Sequence, residues 1–142
     1  MDYQGVALRI EEREAELIER FGIIEDVQER LQAISTRKPQ LPAVPEAERT
    51  DDKLVRECSS QVWIDGEIVD GKVCLRMVST NRLVHSLAGV VCDLCTGADL
   101  DNIQNWKPIW VDGLRLERIL SSTRQRGLDG VLARIRKIAE MG

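Results

Sequence analysis

The sequence predicts an α+β protein in which a small antiparallel β-sheet packs against helices. Three observations lead to this class. Segments with helical spacing of apolar residues open and close the chain, two short segments with strand-like alternation lie near its middle, and the turn-rich stretch between those two favours a hairpin. Helices first, then a short sheet, then more helices is the order of an α+β fold rather than of alternating β-α units.

The composition is that of an ordinary globular chain. The 142 residues are 43% hydrophobic and 31% charged. No apolar run approaches the roughly 20 residues that a membrane-spanning helix needs. We therefore expect one domain over residues 1–142 and no membrane partner. The first residues lack the basic start and the apolar stretch of a signal peptide, so we expect a cytoplasmic protein whose four cysteines are reduced thiols.

The first third of the chain predicts two helices and a connector. Apolar residues at near-helical spacing among many glutamates predict an amphipathic surface helix from Val6 to Phe21, which Gly22 ends. The same spacing predicts a shorter helix over Glu25–Ser35. Three prolines then exclude regular helix or interior strand across residues 38–46, which should form an extended connector.

Two strands are predicted next, over Gln61–Asp65 and Lys72–Ser79. The stretch between them contains the turn residues Gly66, Asp70 and Gly71. Alternation along the second strand predicts one buried face and one partly exposed face. The buried face carries Val73, Leu75 and Met77.

The second half is mainly helical. From Thr80 to Thr96 apolar residues cover more than half of the helix circumference, so we expect this helix in the centre of the core, packed on the sheet, and ended by Gly97. Residues 106–110, which include two tryptophans and a proline, are predicted to form a compact irregular link. The last helix should begin near Thr123.

Charge is unevenly distributed along the chain. The net charge is −4, yet residues 115–142 carry seven basic against three acidic side chains. No aromatic interleaving or recognised binding motif accompanies these cations, so we expect no nucleic-acid partner. We interpret them as solvated charges that complement the dipole of the last helix. The cations in question are Arg124, Arg126, Arg134, Arg136 and Lys137.

Cys58 is the first candidate for reactive chemistry. It follows a polar stretch and precedes the first strand, so we expect it on a loop, where reactive groups are more common than in cores. Arg56, Ser59 and Ser60 can supply positive charge or hydrogen bonds to a thiolate, the form that attacks sulfur. From these residues alone, a small apolar cysteine tucked under the loop is an equally good interpretation.

The other three cysteines indicate packing. Cys74 lies on the partly exposed face of the second strand. Cys92 and Cys95 form a C-x-x-C pair within the central helix, Cys95 in its apolar stripe and Cys92 at the edge of that stripe beside His85. Neither a thioredoxin-like context nor the paired spacing of a zinc knuckle accompanies them, so we expect core packing, with no metal or cofactor.

Around Cys58 the sequence Cys-Ser-Ser-Gln-Val-Trp, together with three further segments, resembles the SufE family of sulfur acceptors, which includes CsdE. Residues 58–63, Cys-Ser-Ser-Gln-Val-Trp, closely resemble the family signature Cys-Gln-Ser-Gln-Val-Trp. Residues 41–46, Leu-Pro-Ala-Val-Pro-Glu, are similar to its Leu-Pro-x-Leu-Pro-Glu segment. Residues 82–87 resemble the start of its central helix, and residues 120–128 its Leu-Ser-Pro-Ser-Arg-x-Asn-Gly-Leu turn. The resemblance extends from about residue 14 to about residue 138.

The resemblance implies a sulfur relay on the fold shared by SufE and IscU-type proteins. Cys58 would take persulfide sulfur from a pyridoxal-phosphate cysteine desulfurase, stimulate that enzyme, and deliver the sulfur to an iron–sulfur scaffold complex, with no cofactor of its own. In the family the cysteine loop is shielded in the free protein and turns outward on docking. The resemblance also implies that Ser60, Gln61, Trp63 and Arg124 support this loop or contact the partner.

The chain departs from the SufE pattern beside the cysteine and at three other positions. Glu57 and Ser59 stand where the family has glycine and glutamine. A negative charge at Glu57 opposes ionisation of the neighbouring thiol. The family's aspartate, proline and asparagine are replaced by Thr80, Ser122 and Arg126.

Two other functions are compatible with the sequence. An iron–sulfur scaffold of the IscU type needs three converging cysteines, for which Cys58, Cys74 and Cys92 are the available set. A structural adaptor would instead dock a protein through the cationic last helix and leave Cys58 incidental.

Overall fold

The structure, a computed structural model, describes residues 9–141. Within them, six α-helices and one two-stranded sheet confirm the α+β class and the order of elements. No helix in this part of the chain is both long and apolar enough to cross a bilayer. The helices and strands are α1 Ile10–Gly22, α2 Val27–Ser35, β1 Val62–Val69, β2 Lys72–Ser79, α3 Arg82–Cys95, α4 Leu100–Asn105, α5 Trp110–Gly113 and α6 Ser122–Ala139, with single 3-10 turns at Glu46–Glu48, Asp51–Lys53 and Leu116–Arg118.

The two N-terminal helices are present within the described residues, and α2 starts later than predicted. α1 ends at Gly22 as expected, while the predicted start at Val6 lies outside the described residues. α2 begins at Val27 because Asp26 caps it, its carboxylate accepting a hydrogen bond from Glu29 N at 3.0 Å. Residues 37–45 contain neither helix nor strand, which confirms the proline-rich connector.

The hairpin is longer than predicted because β1 continues through Gly66. The strands pair antiparallel along their whole length, and Asp70 and Gly71 form the turn with φ of 53° and 76°. Gly66 belongs to the strand, not to the turn. A Cβ there would lie 2.9 Å from the carbonyl oxygen of Cys74, so the glycine permits close packing of the sheet under α6.

Helix α3 lies in the core as predicted, against β2, α2 and α6. Asn81 caps its start by accepting from Val84 N at 3.0 Å, and Gly97 follows its end with φ of 79°. The core packing predicted for Cys92 and Cys95 is confirmed, including for Cys92, which was placed at the edge of the apolar stripe. Cys92 and Cys95 are both fully buried, because α2, β2 and α6 together enclose more of the helix than a single stripe would suggest.

The outer edge of β2 is closed by four different partners. Its outward amides donate to acceptors from the connector, from the chain after α3, and from α3 itself, so this edge is not available for pairing with another strand. His85 serves here as an acceptor through Nδ1, and its partial burial lowers its pKa. The bonds are Val73 N to Ala98 O, Leu75 N to Thr96 Oγ1, Met77 N to Pro42 O, and Ser79 N to His85 Nδ1.

The predicted irregular link between the tryptophans is in fact bounded by two short helices, α4 and α5. They are organised around Glu14, which is 2% exposed although it belongs to a helix predicted to be an amphipathic surface helix. The Glu14 carboxylate accepts hydrogen bonds from Trp106 Nε1 at 3.1 Å, Ile109 N at 2.7 Å and Trp110 N at 2.9 Å. A buried carboxylate with three donors is well satisfied, which explains why it can leave the surface.

Two arginines of α6 are not the solvated charges that the sequence suggested. Arg136 donates to Ile103 O at 3.2 Å and to Trp106 O, so it caps the end of α4. Arg134 donates to Ile64 O at 3.1 Å on the edge of β1. These side chains therefore fasten α6 to its neighbours.

Candidate functional site

Cys58 lies on a six-residue loop whose base is fixed. This cysteine loop, residues 56–61, begins after Val55 and ends where β1 begins. Val55 N donates to Val62 O at 2.9 Å, and Leu54 pairs with Trp63 in an isolated bridge. Inside the loop, Cys58 N donates to Val55 O at 3.3 Å. The loop is thus closed at its neck like a hairpin.

The segment before the loop is fastened to the outer face of the sheet. Arg76 of β2 pairs with Glu48 at 2.9 Å and with Asp65 of β1. Lys53 Nζ donates to Glu48 O at 2.9 Å. The Arg49 guanidinium lies 5.8 Å from the ring centroid of Trp63. These contacts hold the neck of the cysteine loop in place on a rigid hairpin.

The tip of the loop rests on helix α6. The Cys58 thiol donates a hydrogen bond to Gly127 O, with Sγ 3.5 Å from the oxygen. A Cβ at Gly127 would lie 3.0 Å from that sulfur, so glycine is what allows the approach. Ser121 caps the start of α6, because its side-chain oxygen accepts a hydrogen bond from Arg124 N at 3.1 Å.

A small, mostly apolar cavity adjoins the Cys58 sulfur. Its volume is about 20 Å³, room for roughly one atom of the size of a water oxygen. Polar residues at its border are Ser59, Ser60, Thr123 and Arg124. The apolar lining comes from α3 and α6, through Val84, Leu87, Ala88, Leu128 and Val131.

The closed loop holds Cys58 as a thiol. Burial raises the pKa of Cys58, and the adjacent negative charge of Glu57 raises it further. Because the thiolate is the nucleophile, the closed loop keeps this sulfur in its less reactive form. Outward movement of the loop would expose the thiol and so remove burial, the larger of the two causes that raise its pKa.

The predicted site residues divide into two groups. Ser60 and Arg124 border the cavity beside Cys58. Gln61 and Trp63 do not; they belong to the neck of the loop. The carbonyl of Gln61 accepts from Thr80 N at 3.2 Å and from Ser79 Oγ at 2.8 Å. The Trp63 side chain, 8% exposed, lies beneath Arg49 on the opposite side of the sheet from the core.

The remaining cysteines are separate from this site. Cys74 is exposed on the outer face of β2, as predicted. Cys92 and Cys95 are buried in α3, and burial raises the pKa of Cys95 to about 12. Within residues 9–141, no three His, Cys, Asp or Glu side chains are grouped so that they could hold a metal ion. The three converging cysteines that an iron–sulfur scaffold requires are therefore not formed there.

Two glycines of α6 were not recognised as site residues from the sequence. Gly127 meets Cys58, and Gly130, one turn further along, meets Glu57. The available signal was the presence of two glycines inside an otherwise regular helix, since such glycines usually have a packing reason. Their partner was not visible, because it lies 69 positions away in the case of Gly127.

Fold and site together define a small α+β protein with one half-buried thiol on a loop that closes over two core helices. The chain belongs to the SufE family: the family model described as the Fe-S metabolism associated domain matches residues 15–139. This confirms the family to which the cysteine motif and its flanking segments point.

Individual relatives agree with this assignment. An uncharacterised SufE-like protein of Rhizobium meliloti is 27% identical over 130 residues, covering 88% of this chain and 93% of the relative. The sulfur acceptor protein CsdE of Escherichia coli is 29% identical over 94 residues, or 65% of this chain and 64% of CsdE. A solution structure of a hypothetical protein from Thermus thermophilus has the same fold, with a TM-score of 0.72, 21% identity, and coverage of 90% of this chain and 93% of the other.

Proposed function

We propose that the protein is a cytoplasmic sulfur acceptor that takes persulfide sulfur from a cysteine desulfurase onto Cys58 and delivers it for iron–sulfur cluster assembly. The observation that carries this proposal is the Cys58 sulfur itself, held on a loop beside a cavity with room for about one more atom. Membership of the SufE family and similarity to the sulfur acceptor CsdE support it.

The transfer is a thiol exchange at sulfur. The Cys58 thiolate attacks the outer sulfur of the donor's persulfide, the donor's S–S bond breaks, and its cysteine leaves as a thiolate. A new S–S bond forms on Cys58 and no electrons are gained or lost overall. Removal of the sulfur frees the desulfurase cysteine for the next turnover, so acceptance also stimulates the enzyme.

Loop movement is required before the attack. In the closed state the thiol faces α6 and has a raised pKa, so neither its direction nor its protonation suits the reaction. The fixed pairing of Val55 with Val62 lets the tip turn outward without disturbing the hairpin. After transfer, return of the loop would place the reactive outer sulfur beside the cavity and away from oxidants.

The test is mass spectrometry of the protein after incubation with a purified cysteine desulfurase and free cysteine. We expect one added sulfur atom on the Cys58 peptide and none in the Cys58→Ser variant, which should fold normally because the substitution changes little volume. Cys74→Ser is the matched control, since Cys74 is the exposed cysteine and should be dispensable. Sulfur uptake at the wild-type rate by Cys58→Ser would refute the proposal, and binding without sulfur uptake would favour an adaptor.

A further inference from the structure

Two adjacent loop residues rest on two glycines of α6. Cys58 lies over Gly127, and Glu57 lies over Gly130, one helical turn further on. A Cβ at Gly130 would lie 2.6 Å from Glu57 Oε1 and 2.7 Å from Glu57 Cβ. Side-chain atoms do not approach a Cβ so closely, so the Glu57 side chain occupies the space that a larger residue at 130 would fill. We call this space the Gly130 notch.

The contact in the Gly130 notch is one of shape, not of charge pairing. Gly130 is buried, which shows that the notch is covered. Glu57 as a whole is exposed, and it forms no ion pair with any side chain of residues 9–141. Both the stem and one carboxylate oxygen of Glu57 therefore fit against the helix at Gly130.

The charges around the thiol are few. Arg56 and Glu57 precede Cys58 on the loop, and Arg124 of α6 borders the cavity. The α3 residues that line the cavity are uncharged. Glu57 is the group whose charge raises the pKa of the Cys58 thiol, in addition to burial.

We propose that Glu57 is a positioning residue for Cys58, which holds the cysteine loop closed by seating in the Gly130 notch and must leave that notch before Cys58 can react. The latch so formed gives the resting protein a protected thiol. That the latch protects a sulfur carrier rests on the function proposed above. The latch itself is a contact within the free protein. Glu57 and Gly130 form a matched pair, because a side chain at either position excludes the other.

The experiment measures alkylation of Cys58 by iodoacetamide in the free protein. A Cys74→Ser background removes the exposed thiol, while Cys92 and Cys95 are buried. Gly130→Ala should raise the alkylation rate about tenfold, because reaction tracks the population of the open loop. Gly22→Ala is the matched control, since a Cβ there meets nothing within 4 Å and the rate should not change.

A double-mutant cycle separates the latch from general loosening of the fold. Once Glu57→Gly has emptied the notch, adding Gly130→Ala should have no further effect on the rate. Glu57→Gln keeps the shape and removes the charge, so it should lower the pH at which alkylation is half-maximal. Thermal unfolding checks that each variant is folded; alanine favours the helix at 130.

The outcomes are distinct. An unchanged rate in Gly130→Ala, or an equal effect of Gly130→Ala with and without Glu57, would overturn the latch. Because the assay contains no desulfurase, that result would leave sulfur acceptance standing. The latch is supported if Gly130→Ala speeds alkylation in the otherwise unchanged protein but has no effect on the rate in the Glu57→Gly background. This holds whether or not Cys58 accepts sulfur.

Discussion

The four cysteines differ in what surrounds each sulfur, and these surroundings assign their roles. Cys58 is half-buried on a loop, Cys74 is exposed on a strand, and Cys92 and Cys95 are sealed inside α3. Reactivity requires both access and ionisation. The buried pair lacks both, and Cys74 is exposed on a strand, where no loop covers its sulfur. Cys58 alone among them lies where a change of loop position can alter its reactivity.

Arg124 is the charged residue at the border of the cavity, and its role can be tested by charge reversal. Under the proposed function, Arg124→Glu should weaken stimulation of the desulfurase by about tenfold, because an arginine at this rim is placed to meet a partner carboxylate or to brace the open loop. Arg126→Glu is the control, since Arg126 is exposed on the same helix and does not border the cavity. Equal activity of the two variants and the wild type would make Arg124 a solvated charge.

At the scale of elements, buried polar side chains fasten helix ends that the sequence leaves open. Asn102 of α4 accepts from Ile10 N at the start of α1, at 2.9 Å. Arg13 of α1 donates to Leu94 O and Thr96 O at the end of α3. Helix ends carry backbone groups without partners inside the helix, and these side chains satisfy them across the fold. These contacts fix α1 to α4 and to the end of α3.

The Glu14 carboxylate accepts three hydrogen bonds in the core, and its removal should be costly. Glu14→Gln should lower the free energy of unfolding by about 2–4 kcal/mol, because an amide NH2 would face donors that now bond to a carboxylate. Glu16→Gln, on the exposed side of the same helix, should change it by less than about 0.5 kcal/mol. Urea unfolding followed by tryptophan fluorescence measures both. Similar values for the two variants would show that the Glu14 contacts are of little weight.

At the scale of the whole molecule, the site depends on three parts of the chain that are distant in sequence. A two-stranded sheet is marginal by itself in water, and here it is covered by α3 and α6 on its inner face. The cysteine loop extends from one end of that sheet to α6. The core cysteines of α3 lie within the same apolar cluster, so their ionisation is linked to the stability of the entire fold.

This linkage predicts that the protein becomes less stable in alkali. The pKa of Cys95 is about 12 in the folded protein and about 8.5 in an unfolded chain. A raised folded pKa means that the stabilisation is complete below the unfolded value and is lost as the pH rises towards the folded one. Between pH 9 and 10 we expect a loss approaching about 1.4 kcal/mol per pH unit from Cys95.

Urea unfolding at each pH measures this loss. The Cys95→Ala variant starts from a lower stability because of the cavity it creates, so the comparison is between slopes and not between absolute values. Its slope should be shallower than that of the wild type by the Cys95 contribution. Parallel slopes would mean that the buried thiol does not govern alkaline stability.

The sequence by itself determined the features that rest on local patterns. Alternation along β2, the Asp70-Gly71 turn and the apolar circumference of α3 predicted the hairpin and the central helix correctly. Position after a polar stretch placed Cys58 on a loop, and its motif identified the family. These features depend only on residues close together in the sequence, so they can be recognised without the three-dimensional structure.

The tertiary structure decided where distant residues meet. Gly66 is typical of a turn in sequence, but the close approach of β1 to β2 and α6 keeps it in a strand. Glu14 belongs to a charged surface pattern, yet three donors from the tryptophan segment draw it inside. The glycines of α6 indicate a close packing contact, but nothing in the sequence identifies Glu57 as the partner of Gly130. The physical reason is the same in each case: burial and contact depend on the packing of several elements, and residue spacing along one element does not contain that information.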